Sequence, residues 1–102
     1  MTTSVVERPD VDRYELHVDG DGVAGFVTYR RAPGEIAFLH TEIDPAYEGQ
    51  GLGSVLARRV LDAARRQGLA VLPYCPFIRG WLARHPDYVD LVPADRRAAF
   101  QL

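Results

Sequence analysis

Three sets of side chains in this sequence have the types and spacing to do chemistry. The first is the loop Glu48-Gly49-Gln50-Gly51-Leu52-Gly53-Ser54, where glycines remove three side chains as an apolar strand turns into a helical pattern. Backbone there can take positive φ, and a ligand can approach its N–H groups closely. The first amides of the following helix lack intrahelical partners and sit at the positive end of its dipole. Strand, glycine loop and helix start together make an anion site, most naturally for phosphate. The second is Cys75, which precedes Pro76 at the expected start of another helix, where dipole and free amides stabilise a thiolate. The third is His40 with Glu42, two apart on one strand and so on the same side, immediately before the loop. Either could take a proton from an amine or from Cys75.

Each set also has a plain structural reading. The loop can be a tight strand-to-helix connection that binds nothing, and Cys75 a small buried residue, as free cysteines usually are. His40 can be a satisfied structural histidine and Glu42 an exposed turn carboxylate. His85 reads as structural and His17 as lying on an open strand face, while Arg79 and Arg84, on the polar side of the second helix, could reach a phosphate or nothing. Two nucleotide motifs are excluded. A P-loop ends in Gly-Lys-Ser/Thr, but Gly53-Ser54-Val55 has no lysine, and a dinucleotide fingerprint needs GxGxxG, whereas this run is GxGxG with serine at 54. Three scattered histidines and one cysteine have no metal-ligand spacing, so no metal is expected.

A chain of 102 residues is one domain, able to bury roughly two-thirds of its unfolded surface. Twelve basic residues, all arginine, against fourteen acidic ones give a net charge of -2, so no global field recruits nucleic acid. The single cysteine excludes an internal disulfide and suits a reducing cytoplasm. No apolar run is long enough for a membrane span, and the first residues do not form a signal peptide.

The elements that must position these residues follow from periodicity. Residues 1–12 are polar, contain Pro9 and read as a loose lead-in. From Arg13 the chain alternates as a half-buried strand, turns at Asp19-Gly20-Asp21-Gly22, and returns from Val23 to Arg30. Glu35 to Ile43 is a third strand, apolar on both faces at its centre. A helix from about Leu52 to Gln67 carries Leu52, Leu56, Val60 and Ala63 in one stripe, with Gly68 as its stop. Leu69 to Pro73 should then lie parallel to the third strand by a right-handed crossover, and the crevice at the carboxyl ends of such strands favours ligands. Pro76 opens a second helix whose buried stripe is Phe77, Ile78, Trp81 and Leu82, ending at His85-Pro86. A short extended piece, Tyr88 to Val92, precedes a polar tail at 93–102.

The strings HTEIDPAYEGQGLGSVLA and VLPYCPFIRGWLARHPDY resemble the small single-domain branch of the GNAT superfamily of N-acetyltransferases, and the loop is similar to that superfamily's Q/R-x-x-G-x-G/A run. The resemblance covers about Tyr14 to Leu91, and one position departs from it. Glu48 stands where Gln or Arg is usual, so its side chain cannot donate to phosphate when ionised. The resemblance implies a truncated GNAT-like α/β (α+β) fold: a three-strand antiparallel meander, the glycine-loop helix, a parallel fourth strand and a second helix, spanning 13–92. It implies acetyl-CoA as cosubstrate and an amine acceptor, a small molecule or a protein lysine, with Cys75 or His40 catalytic and a cysteine acetyl relay as one route. Coenzyme contacts would come from His40, Thr41, Glu42, Gly49, Gln50, Gly51, Leu52, Gly53, Ser54, Cys75 and Phe77. The expected setting is cytoplasmic, as a monomer or weak dimer without nucleic-acid or membrane partners. The alternative is a non-catalytic CoA-binding or protein-interaction module, since little sequence remains to build a selective acceptor cleft.

Overall fold

The alternating stretches fold into one five-stranded sheet in the computed structural model, which describes residues 2–20 and 22–102. Met1 and Asp21, the latter inside the turn expected at 19–22, lie outside the described residues. Strands β1 (Thr3–Arg8), β2 (Arg13–Val18), β3 (Gly22–Ala32) and β4 (Glu35–Ile43) pair antiparallel in chain order. Strand β5 (Ala70–Pro73) returns parallel to β4, from Glu35↔Ala70 to Phe38↔Pro73. The meander and parallel crossover are those expected, but the meander has a further member. The segment read as a loose lead-in is strand β1, paired from Thr3↔Val18 to Arg8↔Arg13. Its own hydrophobicity is slight, and the ladder of β2 orders it. Glu7 then accepts hydrogen bonds from Tyr29 Oη at 2.6 Å and from Arg31 Nη2 at 2.7 Å.

Helix α1 (Leu52–Arg66) follows the glycine loop and buries Leu52, Leu56, Val60, Leu61 and Ala64. It ends as expected, with Gly68 at φ +68° just beyond. Helix α2 (Pro76–Arg84) has Cys75 as N-cap and buries Ile78, Trp81 and Leu82. Phe77 departs from the expected stripe: it is 36% exposed and turns toward the loop. Both helices share one core with Tyr14, Leu16, Val27 and Phe38 of the sheet. Among the described residues no helix is long and apolar enough to cross a membrane.

After α2 the expected extended piece at 88–92 is instead a 3-10 turn over Pro86–Leu91. Tyr88 drives this, because its hydroxyl must reach Asp62 Oδ1, at 2.8 Å, while its ring meets Trp81 edge-on. The tail is not merely polar either. Phe100 is buried and packs edge-on against Tyr74, ring centroids 5.3 Å apart.

Two features of β4 position the site. An irregularity shifts the register from Tyr29↔Phe38 to Thr28↔His40, leaving Leu39 as the extra residue. Pairing with β5 also stops at Phe38, so residues 39–43 have no strand neighbour on that side. The two parallel strands therefore part at their carboxyl ends. By register, His40 and Glu42 share the outer face with Arg13, Glu15 and Phe26, whereas Thr41 points to the helix face with Val27.

Candidate functional site

The glycine loop closes the open end of the β4–β5 gap, and its glycines do two different jobs. Gly49 and Gly51 lie at φ +80° and +72°, with open space where a Cβ would point, so backbone conformation is what demands glycine there. Gly53 has ordinary φ, but a Cβ on it would fall 2.7 Å from Phe77 Cζ. Gly51 caps α1 with no side-chain hydrogen bond, and the first amides of the helix have no hydrogen-bond partner among the described residues. Between this loop and α2 runs a groove of about 380 Å³ whose walls include Glu48, Gly51, Ser54, Phe77, Trp81 and Arg84.

The loop side chains divide accordingly. Leu52 is core, so only its backbone can meet a ligand, while Gln50 is exposed. Ser54 Oγ accepts a hydrogen bond from Trp81 Nε1 at 2.9 Å, which fixes the oxygen and leaves its proton free to donate. Arg84 was read from sequence as lying on the polar side of α2. It lines the groove because Phe77, Trp81 and Arg84, spaced by four and three, share one helical face. That spacing was the available signal.

Cys75 lies where β5 ends and α2 begins, 2% exposed. Its backbone N–H donates to Phe38 O at 2.9 Å, tying it to the last paired residue of β4. Its Sγ is 3.0 Å from Thr41 Oγ1, across the gap between the strands. His40 is not with it. The imidazole stands on the outer face, its ring centroid 6.4 Å from that of Phe26, with Nε2 3.5 Å from Glu42 Oε1. Both side chains are well exposed, at 60% and 61%. The sequence-level pairing of His40 with Cys75 as base and thiol therefore separates into two groups on opposite faces of β4. The residue that does meet the thiol, Thr41, carried no such signal in the sequence.

The outer face also holds a buried carboxylate that the sequence reading passed over. Glu15, 2% exposed, accepts from Arg13 Nε at 2.8 Å, and its other oxygen lies 3.0 Å from His17 Nε2 and 3.7 Å from Arg8 Nη1. Burial pushes its pKa up, but the hydrogen bonds from Arg13 and His17, with the charges of Arg13 and Arg8, outweigh it and hold the group below its ordinary value. Glu15 stays ionised and organises the β1–β2 side of this face.

The family described as GCN5-related N-acetyl-transferase matches residues 13–91. No curated protein matches the chain. Among solved structures the chain is similar to the NMR solution structure of a GCN5-like protein from Staphylococcus aureus, at 24% identity and a TM-score of 0.67, over 88% of this chain and 87% of that one. It is also similar to the ribosomal-protein-S18-alanine N-acetyltransferase from Escherichia coli, at 20% identity and a TM-score of 0.56. That match covers 69% of this chain and 63% of the Escherichia coli enzyme. Both likenesses are of fold.

Proposed function

The chain belongs to the GCN5-related N-acetyltransferase family, and from that premise we propose that it moves acetyl from acetyl-CoA to an amine at the gap between β4 and β5. The observation that carries this reading is the gap itself: strands that part after Phe38, closed at one end by open helix amides and lined by Thr41 and Cys75. The backbone of 49–54 holds the pyrophosphate, with Ser54 donating its free proton and Gln50 at the rim. The pantetheine arm runs along the unpaired edge of 40–42, with Phe77 beside it. The thioester then arrives next to Cys75.

In this relay Cys75 Sγ adds to the acetyl carbonyl carbon. The bond to the coenzyme sulfur breaks, and that sulfur leaves with the electron pair and takes the thiol proton. The amine next attacks the acetyl-cysteine carbon and the electron pair returns to Sγ. The amine's proton passes to water in the gap, because His40 stands with Glu42 on the opposite face of β4. Direct attack of the amine on the coenzyme thioester is the second reading. The near-complete burial of Cys75 and the open access to His40 favour it.

Incubation of the protein with acetyl-labelled acetyl-CoA and a panel of small amines and lysine peptides tests the reaction. Label on an amine above the no-protein control is expected. Tight CoA binding with no transfer to any amine or to the protein would reduce the chain to a CoA-binding module.

A further inference from the structure

Thr41 lies in the part of β4 that has no strand neighbour on the β5 side, and its side chain points to the helix face. Its Oγ1 is 3.0 Å from Cys75 Sγ. Both partners are held in place. Cys75 caps α2, and its backbone N–H donates to Phe38 O at 2.9 Å, which ties it to β4. Thr41 is β-branched, so its χ1 is restricted and its hydroxyl is kept beside the sulfur. Thr41 is half-buried where Cys75 is 2% exposed, so the hydroxyl belongs to the more accessible of the two residues.

The relay requires the Cys75 thiol to lose its proton as it attacks, and the coenzyme sulfur to gain one as it leaves. Among the described residues no imidazole, carboxylate or guanidinium hydrogen-bonds Sγ, and Thr41 Oγ1 is its one side-chain partner. His40 and Glu42, the titratable neighbours of Thr41 on β4, face the other way. A thiolate formed in advance would be a charge held away from water. A hydroxyl makes that charge unnecessary, because it accepts through its lone pairs while it donates through its O–H.

We infer that Thr41 is a catalytic residue that carries the proton between Cys75 and the coenzyme sulfur, an assignment that rests on the relay and names the group that moves its proton. As the bond from Sγ to the acetyl carbon forms, the bond from that carbon to the coenzyme sulfur breaks. The thiol proton passes to Oγ1, and the proton already on Oγ1 passes to the departing sulfur. Thr41 ends as it began, beside acetyl-cysteine and free CoA. When the amine takes the acetyl, Sγ leaves with the electron pair and draws the proton of Oγ1. The water that received the amine's proton returns one to Oγ1. The relay then needs no base on the inner face of β4.

Intact-mass spectrometry at short reaction times tests this by following acetylation of Cys75 by acetyl-CoA, without an amine, in wild type, Thr41→Ser and Thr41→Val. Thr41→Ser keeps the hydroxyl and should react at close to the wild-type rate. Thr41→Val lacks it and should react about 100-fold more slowly, the low end for a positioned proton-transfer group. Its CoA affinity and melting temperature should match the wild type. If Thr41→Val melts early, Thr41→Ala takes its place with the same expectation. Deuterium oxide should slow wild type and Thr41→Ser, because a proton is in flight as the bonds change. Wild-type speed in the variant without a hydroxyl would overturn the inference and leave the relay standing. An equal loss in Thr41→Ser and Thr41→Val, the mark of a packing role, would do the same, as would a wild-type rate unchanged in deuterium oxide. If no acetyl ever reaches the wild-type cysteine, the relay itself falls and the inference with it.

Discussion

The ring of Phe77 stands where a β-carbon on residue 53 would have to go, with Cζ 2.7 Å from that position. This contact joins the glycine loop to α2, so the loop's third glycine answers to packing, whereas Gly49 and Gly51 answer to backbone conformation. The two causes give different mutational signatures. Gly51→Ala forces a side chain into the left-handed region and should cost about 1–2 kcal/mol of stability. Gly53→Ala meets the far end of a half-exposed ring that can swing outward, so it should cost about 1 kcal/mol, the low end of overpacking. Both should weaken CoA binding. Thermal melts run beside CoA titrations check the order, and a larger stability loss from Gly53→Ala would mean that Phe77 is locked in place.

Glu48 lines the groove with a negative charge where a phosphate should lie. Glu48→Gln should therefore keep the fold and raise CoA affinity by roughly two- to threefold at low salt, with the gain fading as salt screens it. A drop in affinity would give the carboxylate a positive role in binding.

Glu15 makes stability depend on acid. Its folded pKa lies below the ordinary value because its bonds to Arg13 and His17 and the arginine charges outweigh burial. The stability it contributes is thus fully present above the unfolded carboxylate pKa of about 4.3 and is lost as pH falls through the folded value. Glu15→Gln should lower the melting temperature at pH 7 and flatten the acid limb of the stability curve. Unchanged slopes below about pH 4.3 would assign that limb to other carboxylates, such as Glu7.

The tail carries a fourth expectation. Phe100 is 4% exposed against Tyr74, so Phe100→Ala should destabilise by about 3 kcal/mol, as for a buried aromatic. Denaturant unfolding measures this, and a loss under about 0.5 kcal/mol would be that of a surface site.

The strands from Tyr14 onward, both helices and the loop were legible because their periodicity comes from their own burial. Leu52, Leu56, Val60 and Ala63 on α1 show this plainly. Strand β1 was hidden because its order comes from the neighbouring ladder, and only Val5 and Val6 mark it as apolar. Phe100 was hidden for a related reason: a lone aromatic among charged residues has no period, and its partner Tyr74 is 26 positions away. At the site, the loop's shape and the place of Cys75 at a helix start could be read directly. The extra residue at Leu39 and the parting of β4 from β5 could not, because register belongs to pairs of strands. Those features decide that Thr41 meets Cys75 and that His40 faces away.

The role of Cys75 is the claim on which the relay depends, and intact-mass spectrometry reads it directly. Wild type and Cys75→Ser are each mixed with acetyl-CoA at neutral pH, before and after an amine is added. The relay predicts one acetyl group on the wild type, mapped to Cys75 and removed as the amine becomes acetylated. Cys75→Ser should gain no acetyl and acetylate no amine while still binding CoA with an unchanged melting temperature. A Cys75→Ser protein that acetylates the amine as fast as wild type, with no acetyl ever found on the wild-type cysteine, would contradict the relay.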